Sequence, residues 1–228
     1  SFSFYRKNCA DILLQESEID YTLIDASCFF HFGSVSMTEE PARSATFAAA
    51  AYAKKAGKMV SFDPNYRPNL WTQPEHAREA ILRGLQYADI VKVSEEELEF
   101  LTGDGDLQDA GQKLCREYGL SILLVTMGKS GACCITKEFS VYQPTFDVKT
   151  VDTNGAGDAS MGGFLFCLMD RQIDPERITR QQAELCLEFA NATGALATTK
   201  SGAIPAMPTY EEVVSCIAQQ KRCSEALS

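Results

Sequence analysis

Between Cys28 and Thr136 short apolar runs alternate with amphipathic stretches, and that alternation restricts the fold more than any other feature of the chain. Cys28–Phe32, Met59–Phe62, Asp89–Val93, Ser121–Thr126 and Ala132–Thr136 are too short for stable helices and are bounded by turn residues such as Gly33-Ser34 and Asp63-Pro64. The segments between them carry helical signals. Pro41 opens an Ala-rich stretch through Lys55 that Gly57 stops, and Glu75–Tyr87 sets Ala77, Ile81, Leu82 and Leu85 on one face. Ser94–Leu101 and Asp106–Tyr118 read as two more helices. Strand and helix in turn at this spacing predict an α/β fold, a three-layer αβα arrangement around a largely parallel central sheet. After Thr136 the pattern changes. Val141–Val151 reads as short antiparallel strands, followed by helices over Ala156–Met169, Arg180–Thr199 and Thr209–Arg222. No linker of Pro, Gly and Ser interrupts the chain, so residues 1–228 read as a single domain.

Charge and composition narrow the function classes. Against 31 Asp and Glu stand 21 Lys and Arg, a net charge of −10, which argues against a nucleic-acid binder or a membrane-surface protein. Any anionic ligand must therefore be held by local positive groups. The apolar stretch Met161–Met169 is too short to span a bilayer. Nine cysteines occur with no C-x-x-C pair and no Cys/His cluster, which reads as buried thiols in a reducing, cytoplasmic compartment. With only His31 and His76, no histidine metal site is supported. No signal peptide opens the chain, and its abrupt start at Ser1 without a Met reads as a fragment.

The chemistry concentrates in Val151-Asp152-Thr153-Asn154-Gly155-Ala156-Gly157-Asp158-Ala159. Two glycines flank an alanine where a helix begins, and exposed N–H groups at a helix start, aided by the macrodipole, bind anions. A carboxylate at Asp158 would repel phosphate unless it takes a proton from an attacking hydroxyl; the other reading is a helix cap. No G-x-x-x-x-G-K-[ST] occurs, so this is not a P-loop, and no G-x-G-x-x-G follows the early strands as a dehydrogenase would require.

Asp152–Asp158 matches the D-T-x-G-A-G-D signature, and the chain thereby resembles the ribokinase-like (PfkB) carbohydrate kinases. Asp63-Pro64-Asn65-Tyr66-Arg67-Pro68-Asn69-Leu70-Trp71 is similar to the D-P-N-x-R-x-x-L-W segment of the fructokinase branch. Lys92–Glu97, Phe189–Ala192 and Gly202–Pro205 fit in the same order. The resemblance implies that Asp158 is the catalytic base and that the N–H groups of Gly155, Ala156 and Gly157 form an anion hole for the transferred phosphoryl. It implies that Asp63, Asn65, Arg67 and Lys92 lie beside phosphates and sugar, and that Thr126, Gly128, Gly131, Asn191, Gly202 and Ala203 surround the nucleotide. Glu97 would help hold Mg²⁺ through water, although Ser94 stands where the family has Asn and Ser94-x-x-Glu97 is also a capping box. Asp152 and the Asn154 carbonyl would hold a monovalent cation such as potassium. Arg67, Lys92 and Asn191 could equally be ordinary solvated or structural positions.

The cofactors implied are ATP and Mg²⁺, and the partners are a small sugar and a second copy of the protein through the family's β lid. Phe4-Tyr5-Arg6 resembles a return from that lid, so residues 1–20 read as its end, with Arg6 reaching the sugar or lying on the surface. The family's first strands and most of the lid would precede Ser1. The activity implied is ATP-dependent phosphorylation of a primary sugar hydroxyl, fructose first, with 2-keto-3-deoxygluconate as the rival substrate. A truncated, non-catalytic nucleotide-binding module is the other class of reading.

Overall fold

The computed structural model describes residues 6, 9–103 and 105–226, with side chains as far as Gln220. Its elements are α1 (Tyr21–Ala26), β1 (Phe29–Gly33), α2 (Ala42–Lys55), β2 (Met59–Asp63), α3 (Pro74–Leu85), β3 (Ile90–Ser94), α4 (Glu95–Thr102), α5 (Leu107–Tyr118), β4 (Ile122–Thr126), β5 (Ala132–Ile135), β6 (Ser140–Gln143), α6 (Ala156–Asp170), α7 (Arg180–Ala197) and α8 (Tyr210–Ala226). Strand order in the sheet follows chain order from β1 to β6. The β1–β2 and β2–β3 pairs are parallel, and β5–β6 is antiparallel. The α/β architecture and largely parallel sheet expected from the alternation are therefore present. Contacts divide the chain into two compact units, Ser1–Leu123 and Leu124–Ser228.

In the first unit α2 packs on β1 and β2. Phe32 of β1 stacks on Phe62 of β2 with ring centroids 4.4 Å apart, and Phe62, Val60 and Ile90 are fully buried. Gly84 brings α3 close to this layer: a Cβ there would stand 2.9 Å from the Phe62 ring. β3 reads Ile-Val-Lys-Val and is buried throughout that run, as a strand covered on both faces should be. Lys92 is the one charged residue in that run. Helix ends follow local chemistry. The Ser94–Glu97 capping box is formed, Asp106 accepts from the Asp109 N–H, and Gly103 and Gly119 end their helices in left-handed conformations.

Phe4 and Tyr5 lie outside the described residues. Arg6 is pinned: its guanidinium donates to Asp11, to the Val35 carbonyl at 2.8 Å and to Thr38 Oγ1 at 3.1 Å. Two short 3-10 turns, Ala10–Leu13 and Glu16–Glu18, follow it.

In the second unit α6 and α7 pack closely because each contributes a glycine to the contact. A Cβ on Gly163 would meet Thr193 Oγ1 at 2.7 Å, and one on Gly194 would meet the Ala156 carbonyl at 3.1 Å. Phe146, Ala192, Ala195 and Val213 form a core cluster between α7 and α8, extended by Phe189 and Ile217. The expected strands over Val141–Val151 are shorter than the sequence suggests. β6 ends at Gln143, and Thr145–Thr150 is irregular. Pro144 has no N–H to continue a ladder, and the Asn191 amide takes the carbonyls of Gln143 and Pro144 at 2.9 and 3.1 Å.

Candidate active site

Ala156, Gly157 and Ser160 at the start of α6 and one face of α7 line a cavity of about 610 Å³ in the second unit. That is the size of a pocket for a nucleotide-like molecule. Thr126, Gly128, Lys129 and Gly131 line it from the end of β4 and the following turn. Thr145–Val148, Thr150 and Thr153 line a second side, Ala156, Gly157 and Ser160 a third, and Asn191, Gly194, Ala195 and Thr198 the fourth. Six of the residues expected at the nucleotide or phosphate therefore share one space: Thr126, Gly128, Gly131, Ala156, Gly157 and Asn191. Asn191 is 6% exposed, and its two amide hydrogens go to the backbone after β6. It thereby holds the Thr145–Val148 wall in place.

Gly155 is left-handed, at φ +76°, and ends the turn that starts α6. A Cβ there would also lie 3.0 Å from Ala203 Cβ, so the turn and the Gly202–Ala203 loop press together. Neither Gly155, Gly202 nor Ala203 reaches the cavity wall. Within the turn, the Ala156 N–H already bonds the Thr153 carbonyl at 3.3 Å, and the first internal helical bond is made by Ala159 to Gly155. The N–H groups of Gly157 and Asp158 thus have no carbonyl one turn back to receive them.

Asp158 is exposed and lies on another side of the helix from Gly157 and Ser160. It borders a separate depression of about 300 Å³ with Gly162, Thr193 and Met207. Gly157 and Asp158, neighbours at the helix start, therefore border two different spaces. Asp152 braces the turn from below. One carboxylate oxygen accepts from the Asn154 N–H at 3.0 Å, the other from the Gly202 N–H at 3.0 Å. Those two hydrogen bonds hold its carboxyl below the ordinary aspartate range. The Thr198 carbonyl in turn accepts from Val151 and Asp152. Asn154 is exposed.

The remaining expected residues lie in the first unit. Parallel register places Phe62 against Val91, so the next positions are neighbours: Asp63, the last residue of β2, and Lys92, in the middle of β3. They form an ion pair of 2.7 Å with side chains 4% and 8% exposed. Asp63 Oδ1 is buried and has no hydrogen-bond partner. Glu97 accepts from the Tyr66 N–H through one oxygen and from the Ser94 N–H, at 2.8 Å, through the other. Burial pushes the Glu97 carboxyl up, the two N–H groups oppose this, and the nearby Asp63 charge adds to the rise. Tyr66 stacks on Phe100 with centroids 4.7 Å apart, and Asn65 sits at φ +48°. Glu97 thus fastens the Asp63–Arg67 loop to the start of α4, a role that sequence spacing leaves unseen. Arg67 is exposed, and of its side chain the Nη1 group reaches only the neighbouring Tyr66 carbonyl, at 3.3 Å.

An unpartnered carboxylate oxygen on Asp63, with the Glu97 carboxylate beside it, is a donor set that suits a hard cation keeping its waters. The described residues contain no cluster of three His, Cys, Asp or Glu side chains placed to hold a metal, and no helix long and apolar enough to cross a membrane.

The cavity wall also contains residues that sequence reasoning missed, chiefly Thr145–Val148, Thr150, Ser160 and Gly194. For α7 a signal was available: Asn191, Gly194, Ala195 and Thr198 recur at helical spacing as small or polar residues along one face.

A parallel α/β sheet, with a glycine turn that opens a helix onto a nucleotide-sized cavity, places the protein in the broad class of α/β proteins that hold ligands at helix starts. More specifically, the chain belongs to the pfkB family carbohydrate kinases, whose family model matches residues 1–210. It is 44% identical over 223 residues to a probable fructokinase-3 of Arabidopsis thaliana, a match that covers 97% of this chain and 64% of that protein. The chain therefore spans a little under two thirds of the length of that relative. Among solved structures it is similar to a fructokinase from Xylella fastidiosa with bound ATP, at a TM-score of 0.89 and 35% identity, covering 97% of this chain and 70% of that one. A double mutant of the fructokinase from Vibrio cholerae O395, solved with fructose, ADP and a potassium ion, matches at a TM-score of 0.84 and 35% identity, over 95% and 68% of the two chains.

Proposed function

We propose that this chain carries the phosphoryl-transfer machinery of an ATP-dependent sugar kinase acting on a primary hydroxyl, with fructose as the substrate. The observation that supports this most is the cavity in which the Thr126–Gly131 turn, the small-residue face of α7 and the Ala156–Gly157 helix start converge. In this reading the nucleotide occupies that cavity and its terminal phosphate meets the Gly157 and Asp158 amides. Transfer then depends on electrostatic stabilisation of the phosphoryl oxygens by fixed donors, where losing one such donor costs about 10²–10³ in rate. Asp158, on another side of the same helix start, accepts the proton of the incoming hydroxyl. A donor and acceptor on different sides of the phosphoryl are what in-line displacement requires.

Asp63 Oδ1 and Glu97 would hold Mg²⁺ through water, and the ion would supply a hard positive charge. Asp152 and the Asn154 carbonyl would hold a monovalent cation, which the potassium of the Vibrio cholerae enzyme makes a natural candidate. The fructokinase relatives favour fructose over 2-keto-3-deoxygluconate. The many unlinked cysteine thiols suit a reducing, cytoplasmic setting.

The test is ADP release by the protein that carries this chain, over a panel of sugars that includes fructose, ribose and 2-keto-3-deoxygluconate. Turnover should be fastest with fructose, and Asp158→Asn should keep ATP affinity while turnover falls by about 10²–10⁴. ATP binding without turnover on any sugar would favour the non-catalytic module. Near-normal turnover in the Asp158→Asn variant would remove the base assigned here.

A further inference from the structure

Gly128, Lys129 and Gly131 bring the turn between β4 and β5 to the cavity wall. Gly128 and Gly131 are left-handed, at φ +54° and +104°, so the backbone alone does little to fix the turn. Three hydrogen bonds close it from within. The Met127 N–H donates to the Gly131 carbonyl at 2.9 Å, the Ser130 N–H to Met127 at 3.0 Å, and the Gly131 N–H to Gly128 at 3.2 Å. The Ser130 carbonyl takes a further bond from outside the turn. Tyr142 lies on β6, opposite Cys133 in the antiparallel register, and its hydroxyl donates to that carbonyl at 2.5 Å. Tyr142 is 53% exposed, so the bond of its hydroxyl, more than burial of its ring, is what it adds here. β6 itself is fastened to α7. Arg180 Nη1 donates to the Ser140 carbonyl at 2.7 Å at one end of the strand, and the Asn191 amide to the Gln143 carbonyl at 2.9 Å at the other. Tyr142 thus ties a glycine turn to a strand that α7 holds at both ends.

We propose that Tyr142 is a positioning residue for the nucleotide: through the Ser130 carbonyl, its hydroxyl holds the Gly128–Gly131 turn, and Lys129 with it, in the form that takes a nucleoside triphosphate. This rests on the reading of the cavity as the nucleotide site. Tyr142 is not on the cavity wall, so it acts through the turn. Apparent affinity is the intrinsic affinity scaled by the fraction of molecules in which the turn is formed. Losing one hydrogen bond at an exposed site changes that fraction by about 3- to 10-fold. Phosphoryl transfer at the Gly157 and Asp158 amides makes no use of the hydroxyl. The effect therefore falls on nucleotide affinity and not on turnover at saturation.

The test compares wild type with Tyr142→Phe, which keeps the ring and removes only the hydroxyl, in the protein that carries this chain. ATP affinity measured by calorimetry should fall about 3- to 10-fold, with kcat at saturating ATP and the KM for the sugar unchanged. Trypsin cleavage between Lys129 and Ser130 should quicken by about the same factor, because cleavage samples the open turn, and ATP should slow it in both proteins. Phe at an exposed position of an edge strand keeps the strand's propensity, so the denaturation midpoint should not move. Equal ATP affinity in the two proteins would overturn the role of Tyr142 and leave the nucleotide reading standing. A drop in affinity without faster cleavage, or one matched by an equal loss of kcat or of stability, would overturn it as well. No ATP binding by wild type would remove the nucleotide reading and the proposal with it. Affinity and cleavage decide between these outcomes even where no sugar is turned over.

Discussion

Lys92 shows what one residue can demand. A lysine in a strand of Ile and Val is tolerated only because Asp63 meets it at 2.7 Å with both side chains buried. Breaking such a pair leaves one charge buried alone, which costs about 3–5 kcal/mol, whereas replacing both partners by apolar groups is often near neutral. Lys92→Met is therefore expected to lower unfolding stability by about 3–5 kcal/mol. The double variant Asp63→Leu with Lys92→Met should recover most of that in denaturant titrations. If the double variant is as unstable as the single one, the pair is not what makes the lysine tolerable. Asp152 makes a pH-dependent case. Its folded carboxyl titrates below its unfolded value because the Asn154 and Gly202 N–H groups favour the charged form. The unfolded state thus binds the proton first as pH falls. The stabilisation is complete above the ordinary aspartate value of about 4 and is lost as pH drops through the lower folded value. Thermal melts of the wild type and Asp152→Asn should differ at neutral pH and converge in acid below about pH 4. A gap that stays constant into acid would mean that the carboxylate charge is not involved.

At the scale of elements, glycines set how closely segments approach. Gly131 and Gly119 both adopt positive φ, at +104° and +72°. Around Gly119 a Cβ would meet nothing within 4 Å, while at Gly131 it would stand 2.2 Å from the Gln143 carbonyl. Gly119→Ala should cost about 1 kcal/mol from backbone conformation alone. Gly131→Ala should cost at least about 3 kcal/mol and open the β5–β6 hairpin beside the cavity. Equal losses in the two variants would show that φ, not space, decides. The cap signals belong to the same scale and were readable from the chain: Ser94 with Glu97 and Thr179 with Gln182 each form the reciprocal bonds that their spacing implies. The span after β6 was not readable in this way. Alternation suggested strands through Val151, but whether Thr145–Thr150 pairs with a strand or faces a cavity depends on Asn191, more than 40 residues later.

For the whole molecule, a net charge of −10 works against any anionic ligand. Lys129 lines the cavity, with Asp147 also on its wall. Lys129→Ala is expected to weaken ATP binding about 3- to 10-fold at low salt, with the difference shrinking as ionic strength rises. Binding calorimetry at two salt concentrations checks this, and a salt-independent loss would point to packing instead.

Local rules carried the sequence reading as far as local interactions reach. Helical and strand periodicity, caps and turns act over one or two turns, so the αβ alternation, most element bounds and the glycine turn at Gly155–Asp158 were set by the chain itself. Partners far apart in sequence were decided only by packing: Glu97 on the Tyr66 amide, Asn191 on the Gln143 carbonyl, and Asp152 on the Gly202 amide. Each joins groups 31 to 50 residues apart, where nothing in the intervening chain dictates the distance. Burial of the sheet and helices brings those groups together, and once they are out of water, the cost of leaving a polar atom unpaired selects which of them bond.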